Sequence, residues 1–445
     1  MIAGHRPPVG WGGALYWPHV PTSSRTLTPA DVRLQSVLRF VKEAGEATRR
    51  EVARATNLSP SVVIRAVGEL LDLDLLINED TARRRRRRGR PSDVLRLNAS
   101  AVYGVGLEFG REHLVTVITD SLGEVVAWST ATDVPPFVAD EATTRTLLAA
   151  VPAAVYDAGI DWERVDAVGL ALHDIVNAAG EWVVKEHLHA PPFAIGSVFE
   201  RTLGRPTCVE DVSRAFAEAE YRFGAGRHRS DMAYVFIGRH GVGSGVFVNG
   251  QLLKSSSGVC GEIGHIIVED DGPLCQCGSR GCLETVASHD AVVGQMRTLL
   301  DRGVQVAIPA GEPVSFAGVC AAAGAGDKVS SMVLHRLAQN VGTAVASLIN
   351  LTGTPHVVVG GQLALAGEVF LADLASAIRH RLITLLARDL TLTYAQLPAN
   401  AGARGAAVQA LEAAWSSGAV LSRARAKANG KRALTIVGAS RTGGD

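Results

Sequence analysis

The chain has 445 residues, 47% of them hydrophobic and 20% charged, with 47 glycines and a formal net charge of zero. No apolar run approaches the roughly 20 residues that cross a bilayer, and the first 24 residues, broken by prolines and glycines, lack the apolar stretch of a signal peptide. These facts exclude a membrane-spanning class, predict a cytoplasmic and reducing setting, and at about 150 residues per domain predict about three domains.

Charge is divided unevenly. Residues 25–98 hold 16 basic and 10 acidic side chains, residues 99–415 hold 21 and 33, and residues 416–445 hold 6 and 1. The front segment is therefore the part suited to a polyanion.

Residues 1–25 read as a disordered segment, and residues 26–98 as a winged helix-turn-helix. Leu34, Val37, Leu38 and Val41 recur at helical spacing, as do Val63, Val67, Leu70 and Leu71. The spacing predicts helices over 31–43, 49–56 and 61–72, each with one face to bury. Thr48 with Glu51 three residues later forms a capping box, Ser59 stands ready to cap the third helix, and Pro60 suits its first turn. Between the second and third helices, Asn57 tolerates a left-handed turn. Residues 75–77 and 94–97 read as strands around a hairpin that carries Arg83, Arg84, Arg85, Arg86, Arg87, Arg88 and Arg90. Arginines on such a wing neutralise phosphates or enter a narrow minor groove, the plainer alternative being a solvated loop. Candidate DNA contacts on the third helix are Ser59, Ser61, Val62 and Arg65; Ser61 and Arg65 suit base edges, and Val62 a thymine methyl.

Over residues 99–230, strands at 102–108, 114–120 and 124–129 precede a helix at 141–157. Over residues 231–415 the pattern returns, with strands at 233–237, 245–249 and 251–254, an Asn249-Gly250 hairpin turn and a helix at 287–301. Two α/β lobes built alike and facing one another are expected. Residues 357–361 read as a buried strand entering a glycine turn, and residues 399–407 as a helix packed tightly on a neighbour. The basic segment 416–445 reads as a disordered tail adding nonspecific DNA affinity.

The densest chemistry lies in Gly261-Glu262-Ile263-Gly264-His265 and, ten residues on, Cys275-Gln276-Cys277-Gly278-Ser279-Arg280-Gly281-Cys282-Leu283-Glu284. One imidazole, His265, and three thiols, Cys275, Cys277 and Cys282, are the donors a tetrahedral Zn2+ needs. Reduced or disulfide-paired cysteines are the alternative, weakened because three of only six cysteines crowd beside a histidine.

Both stretches resemble the signature of the ROK family (repressors, open reading frames and sugar kinases), and weaker similarity runs from about 100 to 412. With the winged helix included, residues 26–412 resemble the family's transcriptional-repressor branch. The resemblance implies two actin-like (ribonuclease-H-like) lobes around a sugar and nucleotide cleft, with a zinc site in the second lobe. It implies Glu262, His265, Glu284 and Asp211 as sugar contacts; the other reading of Glu262 and Glu284 is that they orient the zinc ligands.

Departures from the family's kinases gather in the cleft. Their Glu-Asn-Asp-Ala-Asn stretch, which supplies the base aspartate, is Glu210-Asp211-Val212-Ser213-Arg214 here, so the base position is Val212. Their phosphate turns, Asp-x-Gly-Gly-Thr and Gly-Thr-Gly-x-Gly-Gly-Gly, become Glu108-Phe109-Gly110-Arg111-Glu112 and Arg239-His240-Gly241-Val242-Gly243-Ser244-Gly245. Arg111 and Arg239 remain as cations for a phosphate. Their Pro-Gly turn is His173-Asp174, their Asn-containing loop is hard to place within residues 187–192, and Arg214 suggests an anionic sugar. The expected protein is a regulator, a repressor, that binds operator DNA as a homodimer or higher oligomer, with a catalytically inactive domain sensing a sugar effector. The rivals are an active ATP-dependent sugar kinase with a DNA-binding extension, and a regulator whose cleft only dimerises.

Overall fold

The computed structural model describes residues 27–79, 94–184, 191–308 and 313–429. The basic front begins with α1 (Pro29–Ala44), β1 (Ala47–Thr48), α2 (Arg49–Thr56), α3 (Pro60–Asp72), β2 (Leu76–Glu79) and β3 (Val94–Leu97). Capping boxes start the first two helices: Thr28 and Asp31 close one, Thr48 and Glu51 the other. Asn57 ends α2 at φ +54°, the left-handed turn that lets α3 cross it. The expected Ser59 cap does not form. Ser59 holds the N-cap position, but its hydroxyl lies 3.2 Å from the Ser61 hydroxyl rather than on a backbone N–H. The strands pair antiparallel in the order β1-β3-β2. The expected arginine hairpin, residues 81–90, lies outside the described residues, as do 1–25 and 430–445.

The first lobe contains β4 (Tyr103–Phe109), β5 (Leu114–Thr119), β6 (Val125–Ala131), α4 (Glu141–Asp157) and β7 (Val165–Leu172). A small hairpin of β8 (Ile175–Val176) and β9 (Trp182–Val183) follows, then α5 (Ile195–Leu203), β10 (Thr207–Asp211) and α6 (Val212–Phe223). The second contains β11 (Met232–Ile237), β12 (Val242–Val248), β13 (Gln251–Leu252), α7 (Leu283–Ala287), α8 (His289–Asp301), α9 (Phe316–Gly324) and α10 (Lys328–Thr352). It continues with β14 (His356–Gly361), α11 (Gly367–Arg379), α12 (Thr384–Asp389) and β15 (Thr391–Tyr394), and the chain then enters α13 (Ala401–Ser416).

The two sheets have the same topology. Their strand orders, β6-β5-β4-β7-β10 and β13-β12-β11-β14-β15, both consist of an antiparallel meander followed by two parallel strands. Each lobe buries its own aliphatic core. The helix expected over 287–301 is interrupted at Ser288, whose hydroxyl accepts from the Ala291 N–H and starts α8 anew.

Two sequence-based boundaries are corrected. Residues 401–415, assigned by sequence to the second lobe, form α13 and pack on the first-lobe sheet. The cause is backbone proximity: a Cβ at Gly106 would lie 1.9 Å from the Ala403 carbonyl oxygen, and one at Gly169 would lie 2.0 Å from that of Ala406. Residues 419–429, expected to be disordered, are helical. Val420 and Leu421 enter the winged-helix core, Arg423 pairs with Asp166 on β7 at 2.6 Å, and Arg425 pairs with Asp31 and Glu69. Apolar anchors and ion pairs offset the ordering entropy that composition alone suggested the tail could not meet.

The same junction includes Gln35, whose amide donates to the carbonyls of Trp415 and Ser416 at 3.1 and 3.2 Å, and the ion pair of Lys42 with Glu412. Burial pushes the Glu412 carboxyl up, but the charges of Lys42 and Arg222 outweigh it and bring it from 4.5 to about 2. A depressed carboxylate stabilises the fold above its ordinary pKa and loses that contribution as pH falls through the folded value. Glu412→Gln should therefore be less stable than the parent at pH 6, on the order of 2 kcal/mol, with the gap closing between pH 4.5 and 2. Denaturant unfolding followed by tryptophan fluorescence reads both arms, and a gap independent of pH would contradict the assignment.

Candidate functional site

The glycines of the 261–284 region fold its donors inward. Gly261 has φ +83° and a Cβ there would sit 2.5 Å from the Ser244 carbonyl oxygen, while Gly264 lies as tightly against Val242. Residues 263–265 consequently turn hard against β12. Gly278 and Gly281, at φ +92° and +67°, reverse the following loop, and bridges at Ile267–Cys282 and Leu274–Arg280 hold it. Nδ1 of His265 lies 3.6 Å from Sγ of Cys275, Sγ of Cys277 lies 3.7 Å from Sγ of Cys282, and all four donors lie within 4.8 Å of one another. A tetrahedral ion with Zn–S bonds of about 2.3 Å separates its sulfurs by about 3.8 Å, so the donor set and its spacing fit that geometry.

The candidate sugar contacts lie on the flanks of the cysteine-rich segment and at the start of α6. Glu262 precedes the turn that carries His265, and Glu284, on α7, is buried and accepts from the Val242 N–H at 3.4 Å. Asp211 ends β10 and caps α6, accepting from the N–H groups of Ser213 (2.8 Å) and Arg214 (3.3 Å). Arg214 links the two regions: its guanidinium, buried against Glu210 at 2.6 Å, donates to the Cys260 carbonyl at 3.0 Å. This overturns its reading as an anion receptor, because a carboxylate already neutralises it. Burial raises the Glu210 carboxyl, but Arg214 and Lys254 prevail and hold it at about 2.

At the base position and at the degenerate phosphate turns, side chains engage protein neighbours. Val212 is 3% exposed and clusters with Ala171, Ala215 and Ala406, against Phe216 and Phe236. Arg239, at the second turn, pairs with Glu112 of the first and with Asp290 at 3.3 Å, and His240 pairs with Asp290 at 2.9 Å. The Arg111 guanidinium lies 5.4 Å over the Phe137 ring. Sequence reasoning missed one grouping, in which Glu108, His113 and His173 converge. Parallel pairing of β4 with β7, which sets Phe109 beside Leu172, brings His173 to Glu108 across 65 residues of chain.

On the winged helix, Ser59, Ser61, Ile64 and Arg65 are exposed and Val62 is half-buried, while Val63, Ala66, Val67 and Leu70 face the core. The outward face of α3 is the one the periodicity predicted.

A winged helix on a duplicated, two-lobed, sugar-kinase-like fold defines the class. Residues 104–413 match the ROK family, and the chain belongs to it. It is 26% identical to the DNA-binding transcriptional dual regulator NagC of Escherichia coli (strain K12) over 367 residues, covering 81% of this chain and 88% of that protein. The crystal structure of a ROK family transcriptional regulator, a homologue of the E. coli MLC protein, superposes with a TM-score of 0.77 at 26% identity, covering 89% of this chain and 98% of that one. A ROK family glucokinase from Streptomyces griseus, solved with glucose and AMPPNP, gives 0.60 at 29% identity and covers 70% of this chain and 99% of its own.

Val212→Asp would restore the family's aspartate inside an apolar cluster. The α6 N-terminus offsets only about 0.3–1 kcal/mol, against a larger cost for the buried carboxylate. The variant should lose about 3 kcal/mol at pH 7, less as pH falls and the carboxyl protonates, measured by urea unfolding at pH 7 and pH 5.

Proposed function

We propose that the protein is a sugar-responsive transcriptional repressor that binds operator DNA through α3 and the arginine hairpin, and whose kinase-like cleft senses a sugar without phosphorylating it. The observation that carries this reading is the apolar packing of Val212 together with the Arg239–Glu112 ion pair between the phosphate turns. The first removes the proton acceptor, and the second engages Arg239, a cation at the second phosphate turn, in a solvent-exposed pair. The rival, an ATP-dependent sugar kinase with a DNA-binding extension, predicts sugar-dependent ADP release at about 1–100 per second; the repressor reading predicts background only.

Zinc held by His265, Cys275, Cys277 and Cys282 would brace the loop that carries Glu262, His265 and Glu284, with these and Asp211 contacting the sugar. Zinc supplies structure here, since four protein ligands leave no open position. The protein is expected to carry about one zinc per chain at this site, and Cys277→Ser to lose it with a fall in melting temperature. Elemental analysis and calorimetry read the two effects, and an unchanged metal content and melting temperature would refute the assignment.

A homodimer suits the reading. Leu351, Ile383 and Leu385 are exposed at 85%, 60% and 67%, and the Asn350 side chain, bonded to the Arg381 carbonyl and the Ile383 N–H, draws the first two together. No helix among the described residues is long and apolar enough to cross a membrane.

Wing and recognition helix separate in one salt titration on a duplex selected from a random pool. Replacing Arg83 through Arg88 by serine should weaken binding to all sequences and reduce the slope of log affinity against log salt by up to about 0.9 per lost contact. Arg65→Ala should cost about 1–3 kcal/mol mainly on the selected site. An unchanged slope in the serine variant would reduce the hairpin to a solvated loop.

A further inference from the structure

Glu108 is buried, and its Oε1 lies 3.2 Å from Nε2 of His113 and 3.0 Å from Nε2 of His173. The three donor atoms all lie within 4.8 Å of one another, and the two imidazoles meet edge to face with centroids 5.4 Å apart. Four-coordinate Zn2+, with bonds of about 2.0–2.2 Å to nitrogen and oxygen, separates its ligands by about 3.4 Å, so the spacing already approximates a coordination sphere. The second carboxylate oxygen, Oε2, is buried with no hydrogen-bond partner, pressed toward Gly402, where a Cβ would lie 2.4 Å away. No lysine or arginine pairs with Glu108 among the described residues, so only the two imidazoles balance its charge.

We propose that Glu108, His113 and His173 form a second metal site, specific for a borderline divalent transition ion such as Zn2+, Co2+ or Ni2+, with three protein ligands and an open position. Two imidazoles and one carboxylate are the donor set such ions favour, and three ligands rather than four leave a coordination position for water or a ligand oxygen. His113 and His173 have side chains 35% and 23% exposed, so an ion can enter, while Glu108 is only 3% exposed. The ligands come from the end of β4, the β4–β5 turn and the residue after β7, so an ion would tie together the floor of the first phosphate turn. This site is separate from the cysteine-rich loop, and the proposal does not depend on the repressor reading.

Cobalt distinguishes the two sites, because a thiolate site shows strong sulfur-to-metal charge transfer in the near ultraviolet and an oxygen–nitrogen site shows only weak visible bands. The tag-free full chain, stripped with chelator under reducing conditions, would be titrated with Co2+ and its bound metal counted after desalting. The expected result is one equivalent of Co2+ without thiolate charge transfer, lost in His173→Ala and in Glu108→Gln while the charge-transfer band and far-ultraviolet circular dichroism are retained. His113→Gln, at the most exposed ligand, gives the same readout should the buried variants misfold. A failure of the cysteine-site assignment would remove the charge-transfer band but leave the histidine-dependent equivalent. Metal uptake by His173→Ala and His113→Gln equal to that of the parent, or no uptake beyond the thiolate equivalent, would overturn the proposal.

Discussion

The backbone of α13 lies against the first-lobe sheet at distances that only glycine permits on the sheet side. Gly104, Gly106 and Gly169 present no side chain to it, so Ala403, Ala406 and Ala407 seat directly on the strands. On its other flank, Gly405 faces the Ala215 carbonyl of α6, where a Cβ would lie 1.8 Å from oxygen. Because α6 in turn packs on β11 and β12, one small-residue helix joins both lobes. Its C-terminal half, through Ala410, Leu411 and Ala414, enters the core of the winged helix. Close-packed interiors transmit displacement rather than absorb it, so a shift of α13 reaches the sheet, the cleft wall and the DNA-binding element together.

That geometry gives the repressor reading a physical route. A ligand alters the DNA-binding heads only as far as it prefers one arrangement of the lobes over another. The cleft wall at the start of α6 is tied to the loop before Glu262 through Arg214 and the Cys260 carbonyl, and α6 bears on α13. The winged helix cannot swing freely on a linker, because Lys42, Gln35, Asp31 and Glu69 hold it to α13 and to residues 419–429.

Charged groups in the cleft are paired with one another. Glu210 is matched by Arg214 and Lys254, Arg239 by Glu112 and Asp290, and the base position carries a valine among phenylalanines. Phosphoryl transfer depends on cations and a proton acceptor aimed at the nucleotide, and the proposed non-catalytic reading draws on the engagement of Arg239 by Glu112 and Asp290. In the cysteine-rich loop, by contrast, His265, Cys275, Cys277 and Cys282 converge within 4.8 Å of one another.

Local patterns in the chain were enough to specify α2 and α4 to the residue, the capping box at Thr48, the exposed face of α3, the two alike lobes and the four donors around His265, because each rests on spacing within a few turns or on donors within eighteen residues. They did not specify where α13 packs, that residues 419–429 are ordered, or that Arg214 is already neutralised. Nor did they reveal Glu108 and His173 as neighbours. Apart from the Arg214–Glu210 pair, which joins successive elements across the β10–α6 boundary, each depends on contacts between segments far apart in sequence: parallel pairing of β4 with β7, or the fit of a bare glycine strand against a helix some 300 residues later. Hydrophobic periodicity records which face of an element is buried, but the partner it is buried against is decided by complementarity of backbone and charge that exists only once the chain has folded.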